Sequence, residues 1–336
     1  AFKNFTNEVI LNATFDETKI YVRDIEHFLP SISNSNFIKN NEDEFIEISG
    51  RYFGKIANIA GRDVDFKFGD KLSLAGSFNT RNLLDIDNAV LNIKLDRFQT
   101  SMRKIKMLFP NFNLPTNFTK LGSINFTGRF DGYLQDFVAY GKLNSDLGIA
   151  EMDMRLDITE GTNKANYSGA LNLINFNLGR WSDNSDFGLV NFNSKVEDGR
   201  GLTLNTVKAD LAATVKSLIF KKYTYKDFKI DGKIDKNTFN GAFQISDPNI
   251  DFVFEGAFEY LENQAFLNFK SDVKNIDLFA LNLASSPLKM SGKMDINTVG
   301  NNVNEFTGDV QINDLKVFTK DTTFELKQII VDSKQS

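Results

Sequence analysis

Apolar and polar residues alternate with a period of two along most of this chain. The alternation is clearest at residues 63–68, 91–96, 151–158 and 289–296, where charged or polar side chains flank each apolar one. Successive side chains of a β-strand point to opposite faces of its sheet, so the pattern predicts strands with one apolar and one solvated face. Antiparallel sheets produce this alternation, whereas parallel sheets covered on both faces give continuous apolar runs. The predicted fold class is therefore all-β and antiparallel.

A second motif, apolar-x-Gly-x-apolar, is superimposed on the alternation. It is centred on Gly50, Gly76, Gly128, Gly169, Gly232, Gly241, Gly256, Gly292 and Gly308. Each of these glycines shares the parity of its apolar neighbours, so we expect it on the apolar face. A glycine inside a strand marks a bend, a bulge or the close approach of another backbone. Repeated on one face, such glycines let a sheet curve strongly. The alternative, that some are turn residues between short strands, stays open.

Helical periodicity is rare and is clearest over residues 96–109, where Pro110 would end the helix. Arg103, Lys104 and Lys106 crowd this segment. One interpretation is a basic amphipathic helix that touches lipid head groups. The interpretation we favour is a short helix that plugs one end of a sheet and leaves its basic side chains in solvent. Weaker helical patterns occur at residues 24–29 and 275–284.

Composition argues against catalysis. The chain has no cysteine and a single histidine, His27, so a thiol nucleophile, a thiolate metal site and a two-histidine metal site are excluded. The carboxylate pairs Asp63/Asp65 and Asp153/Asp157 fall on the solvated parity and are interpreted as solvation. We expect a protein that is not an enzyme, with no cofactor and no metal. The formal net charge of −5 gives no reason to expect a nucleic-acid partner.

Aromatic usage is uneven, with 33 Phe, 8 Tyr and 1 Trp. Phenylalanine supplies apolar surface without a polar group, so the chain builds an extended dry face. Similar segments at residues 22–29, 95–98, 173–181 and 273–280 indicate a weak internal repeat, roughly 70 to 100 residues long. No Pro- or Ser-rich linker divides the chain, and residues 1–336 are expected to form one continuous structure. No stretch approaches the roughly 18 apolar residues of a membrane-spanning helix.

Several segments resemble the TamB and AsmA-like family, which includes the inner-membrane subunit of the translocation and assembly module. They are the run NFNLGRW at residues 175–181, the strands IDGKID and FNGAFQI, and the stretch from Leu288 to Ile312. The resemblance covers most of residues 90–325. It implies a long curved β-groove, U-shaped in section, with a hydrophobic trough. It also implies a periplasmic location, an N-terminal anchor in the inner membrane and a C-terminal domain that meets an Omp85-type outer-membrane barrel. Anchor and C-terminal domain are not recognisable here, so an internal segment is expected.

The leading functional hypothesis is a groove that conducts or shields phospholipids between the inner and outer membranes, and so supports outer-membrane biogenesis. The alternative is a scaffold or chaperone for outer-membrane protein assembly or secretion with an Omp85-type barrel. A fragment of an outer-membrane barrel is a weaker alternative, because such barrels carry girdles of Tyr and Trp. The residues predicted to line the groove are Phe126, Gly128, Phe130, Ile230, Gly232, Ile234, Phe252, Phe254, Gly256, Phe258, Met290, Gly292 and Met294.

Overall fold

Strands dominate the computed structural model, which describes residues 8–28, 39–108, 116–203, 205–261, 264–300 and 306–333. Within these residues each of the first eight strands pairs with the next one of that set, each of the last ten does the same, and every such pairing is antiparallel. The predicted all-β antiparallel fold class is confirmed. The chain divides into two compact units, Ala1–Asp157 and Ile158–Ser336, each built on a strand meander. The expectation of one continuous curved groove over residues 1–336 stays a prediction.

The first unit holds eight strands. They are β1 (Ile10–Tyr21), β2 (Phe45–Lys55), β3 (Asn58–Phe68), β4 (Leu72–Arg81), β5 (Val90–Ser101), β6 (Ser123–Gly132), β7 (Asp136–Ser145) and β8 (Gly148–Asp157). Short turns join most of these strands, as the sequence pattern requires. Two longer connections, after β1 and after β5, carry helices.

The second unit holds ten strands. They are β9 (Asn166–Asn177), β10 (Phe187–Arg200), β11 (Lys208–Phe220), β12 (Tyr223–Asp235), β13 (Thr238–Asp247), β14 (Ile250–Leu261), β15 (Gln264–Asp277), β16 (Leu288–Gly300), β17 (Phe306–Thr319) and β18 (Thr323–Ser333). Because consecutive strands run in opposite directions, the C-terminal ends of all odd-numbered strands of a unit lie on the same side of its sheet. That side, where the odd-numbered strands end, is called the helix end of the unit below.

Three short helices each directly follow an odd-numbered strand. They are α1 (Val22–Phe28), α2 (Met102–Leu108) and α3 (Leu178–Ser182). Single 3-10 turns lie at Ile86–Asn88, Thr116–Leu121 and Thr162–Lys164. In the second unit a turn at residues 278–284 follows β15 at the helix end, where the sequence suggested a weak helix. The three helices and this turn therefore lie at the helix end of their units.

The predicted helix over residues 96–109 is only half correct. Residues 96–101 belong to β5, the helix begins at Met102, and Phe109 lies outside the described residues. The strand continues because its backbone is paired on both sides, with Phe98 opposite Leu74 of β4 and opposite Phe126 of β6. These ladder hydrogen bonds and cross-strand contacts outweigh a local helical periodicity, since secondary-structure propensity is a weak preference that tertiary context overrides.

The deepest core of the first unit lies at its helix end. Val22 of α1, Phe68 of β3 and Leu108 of α2 form one buried cluster, against which Ile46, Phe66 and Leu72 pack. Met102 and Leu108 are the buried residues of α2. The helices thus plug the end of the sheet, as the favoured interpretation of the predicted helix over residues 96–109 expects, although the observed helix is Met102–Leu108.

Candidate functional site

One face of the first unit carries a row of small and apolar residues across six neighbouring strands. Residues directly opposite each other in paired strands lie on the same face of the sheet. The pairing traces the row Val64, Gly76, Leu95, Gly128, Gly141 and Met152. On β6 the predicted residues Phe126, Gly128 and Phe130 are half-buried on this face, whereas Asn125, Thr127 and Arg129 are exposed on the other.

In the second unit a comparable row crosses all ten strands without a polar side chain. This glycine row consists of Gly169, Val196, Leu211, Gly232, Gly241, Gly256, Phe269, Ile296, Val310 and Val331. An uninterrupted apolar row over ten strands means that the middle of this side of the meander carries no polar side chain. The strand parity deduced from the sequence is therefore maintained from strand to strand by the register.

Two rows flank the glycine row on the same face. Toward the helix end lies the Phe254 row, which consists of Leu171, Ser194, Ala213, Ile230, Phe243, Phe254, Ser271, Met294, Ile312 and Ile329. Toward the opposite end lies the Phe258 row, which consists of Ala209, Ile234, Phe239, Phe258, Leu267, Thr298, Gly308 and Ser333. Both rows are apolar over β11–β14.

The row nearest the helix end is the most buried. This Phe252 row consists of Val215, Phe228, Ile245, Phe252, Val273 and Gly292, and its members Val215, Phe228, Ile245 and Val273 are buried. Met290, two residues beyond Gly292, lies in a further row still closer to the helix end, opposite Ile276 and Val317. Every predicted groove residue of the second unit thus falls on this one apolar face.

The turn at residues 278–284 closes the helix end of the second unit. Leu281 is completely buried. The side-chain amide of Asn282 donates to the carbonyl oxygen of Lys221, between β11 and β12, at 2.9 Å. Starting from β15, the segment therefore reaches the β11–β12 hairpin. By contrast, Phe258 at the other end of the same face is 41% exposed. Between β11 and β15 the apolar face is therefore covered at the helix end and exposed toward the other end.

An apolar hollow of about 460 Å³ opens on this face. It is lined by Ile230, Phe239, Phe243, Phe252 and Phe254, and no polar side chain lines it. The ring centroids of Phe243 and Phe252 lie 5.3 Å apart, and those of Phe228 and Phe243 lie 5.5 Å apart, so the rings form a tilted ladder along the face. Phe239 and Phe243 are missing from the predicted set, although the motif around Gly241 places both on the same parity.

The glycines bring neighbouring backbones close together. A Cβ atom on Gly232 would lie 2.6 Å from the carbonyl oxygen of Asn240 and 2.8 Å from the Cα of Gly241. On Gly128 it would lie 2.7 Å from the Cα of Gly141. These glycines are inside strands rather than in turns, which excludes the alternative interpretation for them. A second hollow, of about 750 Å³, lies on the polar face behind Gly232, Gly241 and Gly256.

The polar face is occupied by ion pairs. Asp63 contacts Arg51 at 2.6 Å, and Asp65 contacts Arg97 at 2.6 Å, so the carboxylates of the predicted solvated parity are paired with arginines. Exposed pairs of this kind contribute little to stability and favour solubility. Within the described residues, no cluster of three or more His, Asp or Glu side chains could hold a metal ion.

The perturbed pKa values have structural explanations. Burial raises the pKa of the Tyr52 and Tyr167 hydroxyls. Burial also pushes the pKa of Asp277 upward, but hydrogen bonds from the Ala280 backbone N–H and from the Lys289 ammonium outweigh it and hold that pKa below its usual range. Asp277 thereby fixes the start of the turn at residues 278–284. His27 is exposed at the end of α1.

Comparison with known proteins identifies no relative: no family model, no curated protein and no solved structure matches this chain. None of the helices in the described part of the chain has the length and apolar character needed to span a membrane.

Proposed function

We propose that the apolar face of each unit binds lipid acyl chains and that the protein has no catalytic activity. The observation that carries this proposal is the hollow between Ile230, Phe243 and Phe254, which continues into apolar rows along the sheet. Half-exposed phenylalanines in a dry row favour an apolar ligand, because burying such a side chain contributes about 1.5–3 kcal/mol. Exposed apolar surface of this extent marks a binding site for another molecule.

Acyl chains fit the chemistry of this face better than a polar ligand does. Each buried methylene contributes roughly 0.8 kcal/mol, and a face with hardly a polar side chain cannot orient a polar molecule. The rows also repeat similar chemistry from strand to strand, so a chain could occupy many neighbouring positions. We therefore propose a conduit or shield for phospholipids between two membranes, in line with the likeness to the AsmA-like proteins. A periplasmic location and an Omp85-type partner are part of this proposal.

The experiment that tests acyl-chain binding compares neighbouring positions on opposite faces. A photoreactive amino acid replaces Phe254 on the apolar face or Glu255 on the polar face, and lipid adducts are measured after irradiation of cells or vesicles. We expect adducts at position 254 and none at position 255. Equal labelling at both positions, or no labelling at either with the fold intact, would contradict the proposal.

A role in outer-membrane protein assembly or secretion is the second candidate, and β18 favours it. Phe324 is 55% exposed and Ile330 is 66% exposed on this strand, and among the described strands of its unit only β17 pairs with it. Such a strand can pair with an extended segment of another protein. A photoreactive group at Leu326 should then capture an unfolded outer-membrane protein peptide of alternating pattern. No capture of that peptide leaves lipid binding as the function that the face supports.

A further inference from the structure

A small hollow lies beside α2 at the helix end of the first unit. It has a volume of about 310 Å³ and is lined by Met102, Arg103, Lys106, Met107 and Thr119. Pockets for small molecules occupy roughly 300–1,000 Å³, so this one suits a single polar group with part of its tail. Its wall combines two basic side chains with two methionines.

The two basic side chains of this hollow have no neutralising partner in the part of the chain that the structure describes. Lys104 on the same helix contacts Asp70 at 3.0 Å. Among the described residues, however, no acidic or hydrogen-bonding partner engages the side chain of Arg103 or of Lys106. Positions three apart on a helix are neighbours, with Cβ atoms about 5–6 Å apart. The two cations therefore face the same space, and both side chains are exposed.

Helix α2 lies between the hollow and the apolar face. Leu108 on one side of the helix packs in the buried cluster with Phe68, while Met107 is 61% exposed beside the two cations. Since an α-helix with its side chains is about 10–12 Å across, α2 separates the basic hollow from the buried cluster at the end of the apolar face by about one helix diameter, and a lipid held in the hollow must pass around α2 to reach the exposed part of that face. A phospholipid has the same arrangement, with an anionic group attached to apolar chains.

We propose that this hollow, with Arg103, Lys106 and Met107, binds the phosphate group of an anionic phospholipid whose acyl chains lie on the apolar face. The inference rests on the proposed function and adds headgroup selectivity to it. Guanidinium groups bind phosphate oxygens with two parallel hydrogen bonds, and a lysine ammonium adds a point charge. The exposed Met107 covers the first methylenes of the lipid.

The test uses the full chain and two phospholipids with the same photoreactive acyl chain, anionic phosphatidylglycerol and zwitterionic phosphatidylcholine. We expect preferential capture of phosphatidylglycerol, by roughly five-fold for each basic side chain, and a preference that falls as ionic strength rises. In the double variant R103Q/K106Q, capture of phosphatidylglycerol should fall to the level of phosphatidylcholine, and capture of phosphatidylcholine should not change.

Two further variants separate this site from general charge and from folding. Lys55 and Arg81 are exposed at the opposite strand end of the same unit, so K55Q/R81Q removes the same charge and should retain the preference. The exchange R103K/K106R keeps both charges and should also retain most of it. The proposal would be overturned if K55Q/R81Q lost the phosphatidylglycerol preference as fully as R103Q/K106Q does. It would also be overturned if R103K/K106R lost that preference.

The remaining outcomes distinguish this inference from the proposed function. Equal capture of both lipids by the unaltered chain overturns headgroup selectivity and leaves acyl-chain binding intact. Capture of neither lipid overturns the proposed function, and the inference with it. Glycerol phosphate, which has the headgroup chemistry without the tails, should not reduce the preference at equal concentration. If it does, a water-soluble phosphate ester is the ligand and the lipid assignment is wrong.

Discussion

Ser271 is an unusual residue on the apolar face, because its buried hydroxyl oxygen has no hydrogen-bond partner among the described residues. It lies in the Phe254 row between Phe254 and Met294. A buried polar group without a partner costs about 1–3 kcal/mol of stability. We therefore expect Ser271→Ala to leave the free energy of unfolding unchanged or to raise it by about 1 kcal/mol, as measured by urea denaturation.

Ser194 provides the matched control in the same row. It is equally buried, but its hydroxyl donates to the carbonyl oxygen of Leu171 at 3.2 Å. Ser194→Ala removes a satisfied hydrogen bond and leaves that carbonyl with one partner fewer, so it should lower the free energy of unfolding by about 1 kcal/mol. If both serines respond alike, the missing partner of Ser271 has no energetic meaning.

Gly232 tests whether close backbone approach explains the glycines of the apolar face. Gly232→Ala places a methyl group against the carbonyl oxygen of Asn240 and the Cα of Gly241. Overpacking of this kind costs about 1–3 kcal/mol. We expect a corresponding loss in thermal or urea stability, whereas Asp231→Ala, one residue away on the polar face, should change stability by less than about 0.5 kcal/mol. Full stability of the Gly232 variant would show that the sheet can relax there.

At the scale of single elements, strand parity could be predicted and strand ends could not. Which side chains of β6 or β14 share a face can be predicted from the sequence alone, because side-chain direction in a strand has a period of two. The start of α2 at Met102 cannot be predicted without knowing that Phe98 pairs with β4 and β6, and that pairing depends on residues far away in the chain. Phe239 could have been found from its parity with Gly241. The lack of a described partner for Arg103 could not, since it depends on which acidic residues the fold brings near.

The turn at residues 278–284 is the element that most clearly seals the apolar face. Leu281 within it is completely buried, and Leu283, two residues later, is 44% exposed. Truncating a fully buried leucine costs about 2–5 kcal/mol, because it removes packing and leaves a cavity. Leu281→Ala should therefore lower the free energy of unfolding by that amount and speed amide hydrogen exchange at the starts of β12 and β14.

Leu283→Ala is the control for the same turn, and we expect a change below about 1 kcal/mol. A small effect of Leu281→Ala on both stability and exchange would mean that the turn does not hold the helix end closed. A large effect on exchange at the opposite strand end, near Phe258, would mean that the unit opens as a whole rather than locally.

At the scale of the whole molecule, the two units share one arrangement of an apolar sheet face with short segments at the helix end. Strands of 10–14 residues present an apolar face, and short helices or a turn cover part of that face at the helix end. The sequence offers no sign of the division between Asp157 and Ile158, because a short turn with Gly161 and a 3-10 turn replaces the expected polar linker. The dry face could be predicted from period and composition. Its sealed end could not, since that depends on contacts such as Asn282 with Lys221.

Transport along the apolar face, rather than static binding, makes the last prediction. Phe258 lies toward the open end of the face, so Phe258→Asp places a carboxylate there in a side chain that water still reaches, and the fold should survive. An acyl chain passing over that carboxylate would strip its water, which is strongly unfavourable without a partner. Transfer of a fluorescent phospholipid between donor and acceptor vesicles by the chain should therefore fall at least about ten-fold, the change that 1.4 kcal/mol produces. Ala257→Asp introduces the same charge one residue away on the polar face and should transfer lipid at the unaltered rate. If Phe258→Asp transfers lipid as fast as Ala257→Asp does, lipids do not pass over this end of the face, and the conduit must be replaced by a shield that holds them in place.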